Sequence, residues 1–207
     1  MRTNIYVDGF NLYYGALKRN PDVRWLDLQA LGNRLVGEHS VGRIRYFTAP
    51  VKGRANNPQQ RQRQETYLRA LRTIQPDVGI HFGSFQTKAK NFPRWDQLPK
   101  IKMVTVAKTE EKGSDVNLAT YLLLDAFRED FESALVISND SDLTEPIRVV
   151  RKELGFPVGI ANPDPTTPRV LFGDFHRKIR KGLLKASQFP DTLQDADGTI
   201  TRPPQWY

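Results

Sequence analysis

Short apolar runs alternate along the chain with longer segments in which apolar residues recur every three or four positions. The short runs predict β-strands at Asn4–Val7, Arg43–Pro50, Val78–Phe85, Lys102–Lys108, Ala134–Ile137 and Pro157–Asn162. The longer segments predict helices at Trp25–Val36, Asn57–Ile74, Val116–Phe127, Leu143–Leu154 and Val170–Leu184. Because strands that alternate with helices form a parallel sheet covered on both faces, the sequence predicts an α/β fold.

Two of the predicted helices have a pattern that can be checked in detail. One of them is expected to bury a single face made of Val116, Ala119, Leu122, Leu123, Ala126 and Phe127. Gly155 follows the apolar stripe of the next helix, and we expect that helix to end there.

The length of the chain and its C-terminal residues predict the domain organisation. At 207 residues the chain has room for one sizeable domain. After about Lys185 it turns polar and contains prolines. We therefore expect one domain over residues 1–185 and a tail over residues 186–207, which would be ordered only by packing across the domain.

The composition favours a polyanionic partner and excludes several kinds of site. A formal net charge of +8 attracts phosphates, although a basic surplus also serves solubility alone. The chain has no cysteine, which excludes disulfides, thiolate zinc sites and cysteine nucleophiles, and its three scattered histidines disfavour a histidine metal site. It has no secretory signal and no apolar run of membrane length, so we expect a cytoplasmic protein with no membrane partner.

Aspartates stand close to the ends of predicted strands. Asp8 ends the first strand, and Asp140 and Asp142 follow the buried strand Ala134–Ile137. Asp115 stands where a loop turns into a helix, after another predicted strand. Because ligands bind beyond the carboxyl ends of the strands in an open parallel sheet, we expect these four acids to share one pocket.

Each of these acids also has a local explanation. Asp8 before Gly9 suits a turn, and Asp115 and Asp142 each precede an amphipathic helix and suit an N-cap. Glu145 even completes the spacing of a capping box with Asp142. Caps and turns have no reason to converge, however, so the joint placement of the acids favours a functional site.

The chemistry of clustered carboxylates points to a divalent metal. Such groups raise one another's pKa unless a cation neutralises them, and oxygen ligands suit Mg²⁺ or Mn²⁺. An ion of this kind activates water and polarises a phosphoryl oxygen, so the acids of a basic protein predict phosphodiester hydrolysis. Asn11, three residues past Asp8, is expected to face the same site, and Ser138, Asn139 and Ser141 are candidates for supporting hydrogen bonds.

Three segments resemble the NYN-domain family, a branch of the PIN-like nucleases. In the family's order they are "YVDGFNLYY" (Tyr6–Tyr14), "KGSDVNLA" (Lys112–Ala119) and "VISNDSDL" (Val136–Leu143). The resemblance covers about Asn4–Leu184, and the ending through "SQFP" and Trp206 resembles a bacterial subgroup.

This resemblance implies a Rossmann-like, PIN-type three-layer fold with a central, mostly parallel sheet and helices on both faces. It also implies metal-dependent cleavage of RNA. The corresponding catalytic and metal-binding acids are Asp8, Asp115, Asp140 and Asp142, with Asn11 in support. Other branches of the family often carry a further acid where this chain has Tyr121, a departure that bears on the number of metals bound and on activity.

The basic segment Gln86–Lys102 is the main candidate for RNA contact. The cations Lys88, Lys90 and Arg94 would contact RNA phosphates, and the indole ring of Trp95 would stack on a base. The same composition suits a solvated loop anchored by its aromatic side chains. Lys112, close to Asp115 in the sequence, would contact the scissile phosphate or merely offset the acids.

The leading hypothesis is therefore a hydrolase, a divalent-metal-dependent ribonuclease. The alternative is an RNA-binding or regulatory module with little or no catalysis, motivated by Tyr121. A phosphatase of the haloacid dehalogenase type would carry a second acid at position 10, where this chain has Phe10. A dinucleotide enzyme would carry G-x-G-x-x-G after the first strand, and this chain does not.

Overall fold

The computed structural model describes residues 1–53, 57–75, 78–94, 103–164, 166–168 and 170–207. The strands are β1 (Arg2–Asp8), β2 (Ser40–Thr48), β3 (Gly79–Phe82), β4 (Ser84–Pro93), β5 (Met103–Lys112), β6 (Ser133–Ile137), β7 (Val158–Asn162), β8 (Phe175–Lys178), β9 (Thr192–Asp195) and β10 (Gly198–Thr201). The α-helices are α1 (Gly9–Leu12), α2 (Leu28–Val36), α3 (Gln60–Leu71), α4 (Ser114–Phe127), α5 (Thr144–Lys152) and α6 (Lys181–Lys185).

A six-stranded sheet in the order β3-β2-β1-β6-β7-β8 forms the central layer, and all of its strand pairs are parallel. Successive residues of β1 point to opposite faces, so Ile5 and Val7 join one hydrophobic cluster while Tyr6 joins the other. Leu31 of α2 lies in the first cluster and Leu118 of α4 in the second. The predicted α/β fold with helices on both faces of a parallel sheet is confirmed.

The order of the strands reverses between β1 and β6. The chain runs outward from β1 through β2 to β3, and it returns to the other side of β1 with β6. In open parallel sheets such a reversal leaves a crevice at the carboxyl ends of the two strands. Asp8 ends β1 at this crevice, and Asp140 follows β6 there.

The segment between β3 and α4 departs from the prediction. The strand predicted at Lys102–Lys108 was expected to belong to the parallel sheet. Among the residues that the structure describes, β5 instead pairs with β4 alone, as an antiparallel hairpin outside that sheet. Val104 and Val106 of this hairpin are exposed. Alternating polarity identifies a strand without identifying its partner, which is why the pattern misplaced this one.

The buried face of α4 matches the predicted one only in part. Leu118, Leu122 and Ala126 are buried, whereas Val116 is 68% exposed and Phe127 77% exposed. The buried stripe also contains Asp125, whose charge is neutralised by Arg45, with 2.6 Å between Oδ2 and Nε. Because the pattern of apolar residues cannot reveal a buried, paired carboxylate, the prediction was wrong for Val116 and Phe127 while Leu122 and Ala126 are buried as expected.

The prediction of a long basic helix at Val170–Leu184 is also wrong. This part of the chain forms the edge strand β8, parallel to β7, and the short helix α6. A Cβ added at Gly173 would lie 2.5 Å from the carbonyl oxygen of Val158, so the backbone approaches β7 closely there. Asp174 accepts a hydrogen bond from the Val158 amide (2.8 Å), which fixes the edge strand instead of a helix. The predicted end of α5 near Gly155 is confirmed by its positive φ of 77°.

Residues 186–207 form the antiparallel hairpin β9–β10 and a closing 3₁₀ turn. Phe189, Ile200 and Trp206 are buried in the cluster that contains Ile5. The Trp25 indole donates a hydrogen bond to the carbonyl oxygen of Pro190 (2.7 Å). This segment therefore packs firmly across the preceding residues, while a domain boundary at residue 185 stays a prediction. In the described ranges, no helix is long and apolar enough to cross a membrane.

Candidate functional site

Three aspartates meet at the crevice between β1 and β6. Asp8, Asp115 and Asp140 each place a carboxylate oxygen within 4.8 Å of the other two. Asp8 is only 3% exposed, and the other two are half-buried. Three segments far apart in the sequence therefore deliver carboxylates to one point.

Hydrogen bonds hold Asp8 in place. Asp8 lies two residues after Tyr6 on β1, and side chains two apart on a strand point to the same face. Its side chain therefore lies on the face of the sheet that α4 covers. Its Oδ1 accepts from the Asn11 amide (2.9 Å) and caps α1, and its Oδ2 accepts from the Ser138 hydroxyl (2.9 Å). Burial raises the pKa of Asp8, and the nearby Asp140 raises it further, while these hydrogen bonds lower it.

The loop after β6 is fixed to the same point. The Asp140 amide donates to the Ser138 hydroxyl (3.1 Å), so one serine positions two of the acids. The Asn139 amide donates to Oδ1 of Asn11 (3.1 Å). Asn11, predicted to face the site, therefore joins the ends of β1 and β6.

Asp115 reaches the crevice from the first turn of α4 and not from a strand of the central sheet. It lies on the same buried stripe as Leu118, which directs its side chain towards β1 and β6. The pKa of Asp115 is raised to about 7, first by burial and then by the charges of Asp8, Asp140, Glu111 and Asp142. Its carboxylate therefore binds a proton or a cation more readily than an ordinary aspartate.

The local explanations for these acids hold only in part. Asp8 does cap α1, and Oδ1 of Asp140 caps the 3₁₀ helix Ser141–Leu143 by accepting from the Asp142 amide (3.0 Å). Asp115 caps nothing, because the N-cap of α4 is Gly113. Capping therefore accounts for the place of two acids and leaves the third, and the convergence of all three, unexplained.

The donor set fits a hard divalent cation. It consists of carboxylate oxygens, which Mg²⁺ and Mn²⁺ prefer. Among the ion pairs of the described residues, none neutralises Asp8, Asp115 or Asp140. The mutual repulsion of the three acids is the physical reason why a cation would bind between them.

Two residues that the sequence tied to the site lie outside this trio. Asp142 is exposed, and it adds to the negative potential that raises the pKa of Asp115. Tyr121 packs with its ring 3.9 Å from that of His81, and the guanidinium of Arg45 lies 4.4 Å from the Tyr121 ring centre. Six residues turn a helix by roughly 240°, so position 121 does not share the face of Asp115.

The predicted RNA contacts stay predictions, and those among the described residues lie on or next to the β4–β5 hairpin. Lys88, Lys90 and Lys112 are at least partly exposed, but Nζ of Lys90 lies 3.0 Å from Glu110, as part of an ion-paired surface. Arg94 directly follows β4 and is exposed. Trp95 lies outside the described residues.

Glu111 was missed by sequence reasoning. Its Oε1 accepts from the Ser114 amide (3.1 Å), which helps to start α4, and its charge raises the pKa of Asp115. The signal available was a glutamate three residues before the first residue of the helix.

Comparison with known proteins gives three matches. A sequence profile of the NYN domain matches residues 2–177. The chain is 29% identical, over an alignment of 238 residues, to 6-hydroxy-3-succinoylpyridine 3-monooxygenase HspA of Pseudomonas putida, with 100% of this chain and 76% of that protein covered. The crystal structure of a protein of unknown function from Vibrio parahaemolyticus superposes with a TM-score of 0.52 at 18% identity, covering 87% of this chain and 93% of that one. At that identity the structural match shows a shared fold alone.

Proposed function

Since the chain belongs to the NYN-domain family, we propose that it is a divalent-metal-dependent ribonuclease that hydrolyses RNA phosphodiester bonds. NYN domains are generally nucleases, and the family implies interaction with RNA. The observation that carries the proposal is the convergence of Asp8, Asp115 and Asp140 within 4.8 Å. The cofactor would be Mg²⁺ or Mn²⁺.

Each residue of the site has a defined part in this proposal. Asp8, Asp115 and Asp140 would hold the ion, which lowers the pKa of a bound water and polarises a phosphoryl oxygen. Asn11 and Ser138 position the carboxylates through the hydrogen bonds described above. Asp142, exposed at the rim, would act from outside the trio by orienting water.

The basic character of the chain supports an RNA substrate. The net charge of +8 exists despite the acidic site, so cations dominate the rest of the molecule. In this proposal Lys88, Arg94 and Lys112 contact backbone phosphates, and Trp95 stacks on a base. A cytoplasmic location stays a prediction.

Replacement of Asp140 by asparagine tests the proposal. Asp140→Asn keeps the shape of the side chain and removes one anionic ligand, so RNA cleavage with Mg²⁺ or Mn²⁺ should fall by about a hundredfold or more. The melting temperature should not fall. Asp197→Asn is the matched control, because it makes the same change in the distant turn between β9 and β10, and it should cleave like the wild type.

Equal cleavage by wild type and Asp140→Asn, purified in parallel to exclude a contaminating nuclease, would refute the assignment of the site. Cleavage by the wild type should also stop when a chelator is added. RNA binding that ignores the chelator, with no product over a range of RNAs and metals, would favour the alternative of a binding or regulatory module.

The relative from Pseudomonas putida supplies a second candidate function, a monooxygenase acting on a heteroaromatic compound. The observation that favours it is the alignment over 100% of this chain. It predicts consumption of O₂ in the presence of 6-hydroxy-3-succinoylpyridine and a reductant. The same preparation that is tested on RNA should be tested in this assay.

A further inference from the structure

A cavity of about 310 Å³ begins at Gly9, the residue that follows Asp8. Gly9 and Tyr46 both line it. A Cβ added at Gly9 would lie 2.7 Å from the Tyr46 hydroxyl oxygen, so that hydroxyl lies against the backbone that leaves Asp8. The cavity therefore begins at the residue that follows Asp8, although none of the three acids lines it.

Aromatic rings form much of the cavity wall. Phe10 and Phe85 meet edge to face, with ring centres 5.6 Å apart. Tyr13 and Tyr14 also line it, in a π-helical turn at Tyr13–Leu17, and Tyr14 is 56% exposed. Rings of this kind are platforms for stacking a flat aromatic ligand.

The charge of the cavity is opposite to that of the acidic trio. Among its described lining residues the charged ones are all cations, namely Arg24, Lys52 and Arg63. Hydroxyl groups add polar contacts, including Thr87 and Thr109, whose Oγ1 atoms lie 2.9 Å apart. A ligand that suits this lining is aromatic, carries negative charge and has polar edges.

We propose that this cavity binds the base of the nucleotide next to the scissile phosphate, and so selects the position of the cut. This inference rests on the proposed ribonuclease function. A phosphodiester held at Asp8, Asp115 and Asp140 would have its neighbouring base within reach of Gly9, where the cavity begins. A volume of about 310 Å³ is at the small end of ligand pockets and suits a single nucleotide unit.

The substrate implied by this cavity is single-stranded RNA. A base must leave its stack and its pairing to enter a pocket, and unpaired loops and ends allow this at low cost. On the hairpin, Phe85 and Thr87 line the cavity, whereas Lys88 and Lys90 alternate to the opposite face. The side chains of these two lysines therefore face away from the cavity.

Two measurements on the same variants test the inference. Binding of AMP, GMP, CMP and UMP is measured by calorimetry in metal-free buffer, and cleavage of a randomised single-stranded RNA with Mn²⁺ is read by sequencing the product ends. We expect the wild type to prefer some nucleotides in binding and to enrich the same bases next to the cut. Tyr14→Ala, which removes an exposed ring, should weaken binding about tenfold or more and flatten the base preference.

Further variants keep the test independent of folding and of catalysis. Thr109→Trp, on the exposed hairpin, fills the cavity and should abolish nucleotide binding. Phe127→Ala removes an even more exposed ring, from α4 and away from the cavity, and should change nothing. Asp140→Asn should lose cleavage and keep nucleotide binding.

The outcomes separate the two proposals. Nucleotide binding that depends on Tyr14, without cleavage by the wild type, would refute the ribonuclease and leave a nucleotide site in the cavity. Metal-dependent cleavage with equal use of the four bases and no nucleotide binding would overturn the cavity assignment alone. Binding of nicotinate, a small aromatic carboxylate, without any nucleotide would overturn it as well.

Discussion

The most informative perturbation of the site is Asp115→Asn, which removes one of three repelling charges while keeping the size of the side chain. Without a divalent ion, the trio destabilises the folded state, because its carboxylates lie within 4.8 Å of one another. The variant should therefore be more stable than the wild type in a chelator. An ordinary half-buried aspartate that is held by hydrogen bonds would give the opposite result.

The expected gain follows from the raised pKa of Asp115. A rise from 3.8 to about 7 is roughly three pH units, or about 4 kcal/mol. Burial is the first cause of that rise, and the neighbouring charges add to it. Two unit charges at the limiting separation of 4.8 Å repel by about 3–4 kcal/mol at an effective dielectric constant of about 20. Because Asp115 keeps contact with water, screening reduces this, and we expect a gain of about 1–3 kcal/mol.

The pH dependence has a defined sign. The pKa of Asp115 is higher in the folded than in the unfolded state, so the folded protein binds more protons between about pH 4 and pH 7. Its stability in a chelator should therefore fall as the pH rises through that range. The advantage of Asp115→Asn should be largest near pH 8 and should shrink towards pH 4.

Thermal unfolding in EDTA, followed by circular dichroism at pH 5 and pH 8, measures this directly. For a chain of this length the gain corresponds to a melting temperature about 3–10 °C higher at pH 8. Added Mn²⁺ should stabilise the wild type by about 2–3 kcal/mol at a hundredfold excess over its Kd, and should stabilise the variant less. A variant that is equally or less stable than the wild type in EDTA at pH 8 would refute the reasoning.

Two further predictions concern the scaffold around the site. Asp125→Ala removes the ion-pair partner of the nearly buried Arg45, so it should lower the free energy of unfolding by about 3–5 kcal/mol. Urea titration measures this loss. An unchanged midpoint would contradict the role of this ion pair. Gly9→Ala forces a Cβ to within 2.7 Å of the Tyr46 ring and the Phe47 carbonyl oxygen. This clash should lower the free energy of unfolding by about 1–3 kcal/mol in the same titration. A variant as stable as the wild type would show that the backbone after Asp8 relaxes freely.

The sequence was sufficient to predict a parallel sheet covered by helices, and the edge of that sheet where the site lies. The fully buried strand β6 and the polar residues after it appear in the sequence as an abrupt change of pattern. The rule that parallel strands present their carboxyl ends at one edge then placed Asp8 and Asp140 together. Both inferences depend only on local pattern and on general geometry.

What the sequence could not predict depends on partners distant in the chain. The strand β5 looks like a core strand until its neighbour, β4, is known. The buried face of α4 depends on Asp125, whose burial is stabilised by Arg45 from β2. The cavity could not be predicted for the same reason, because Gly9, Tyr46 and Phe85 meet there from three separate elements.

The central claim is that Asp8, Asp115 and Asp140 together bind one divalent cation. Anomalous diffraction from a crystal soaked in MnCl₂ at the manganese edge tests it most directly. The account predicts a strong peak in contact with a carboxylate oxygen of each of the three residues, and its loss in crystals of Asp140→Asn. The same three side chains with no peak between them at saturating Mn²⁺, or a peak that persists in the variant, would contradict it.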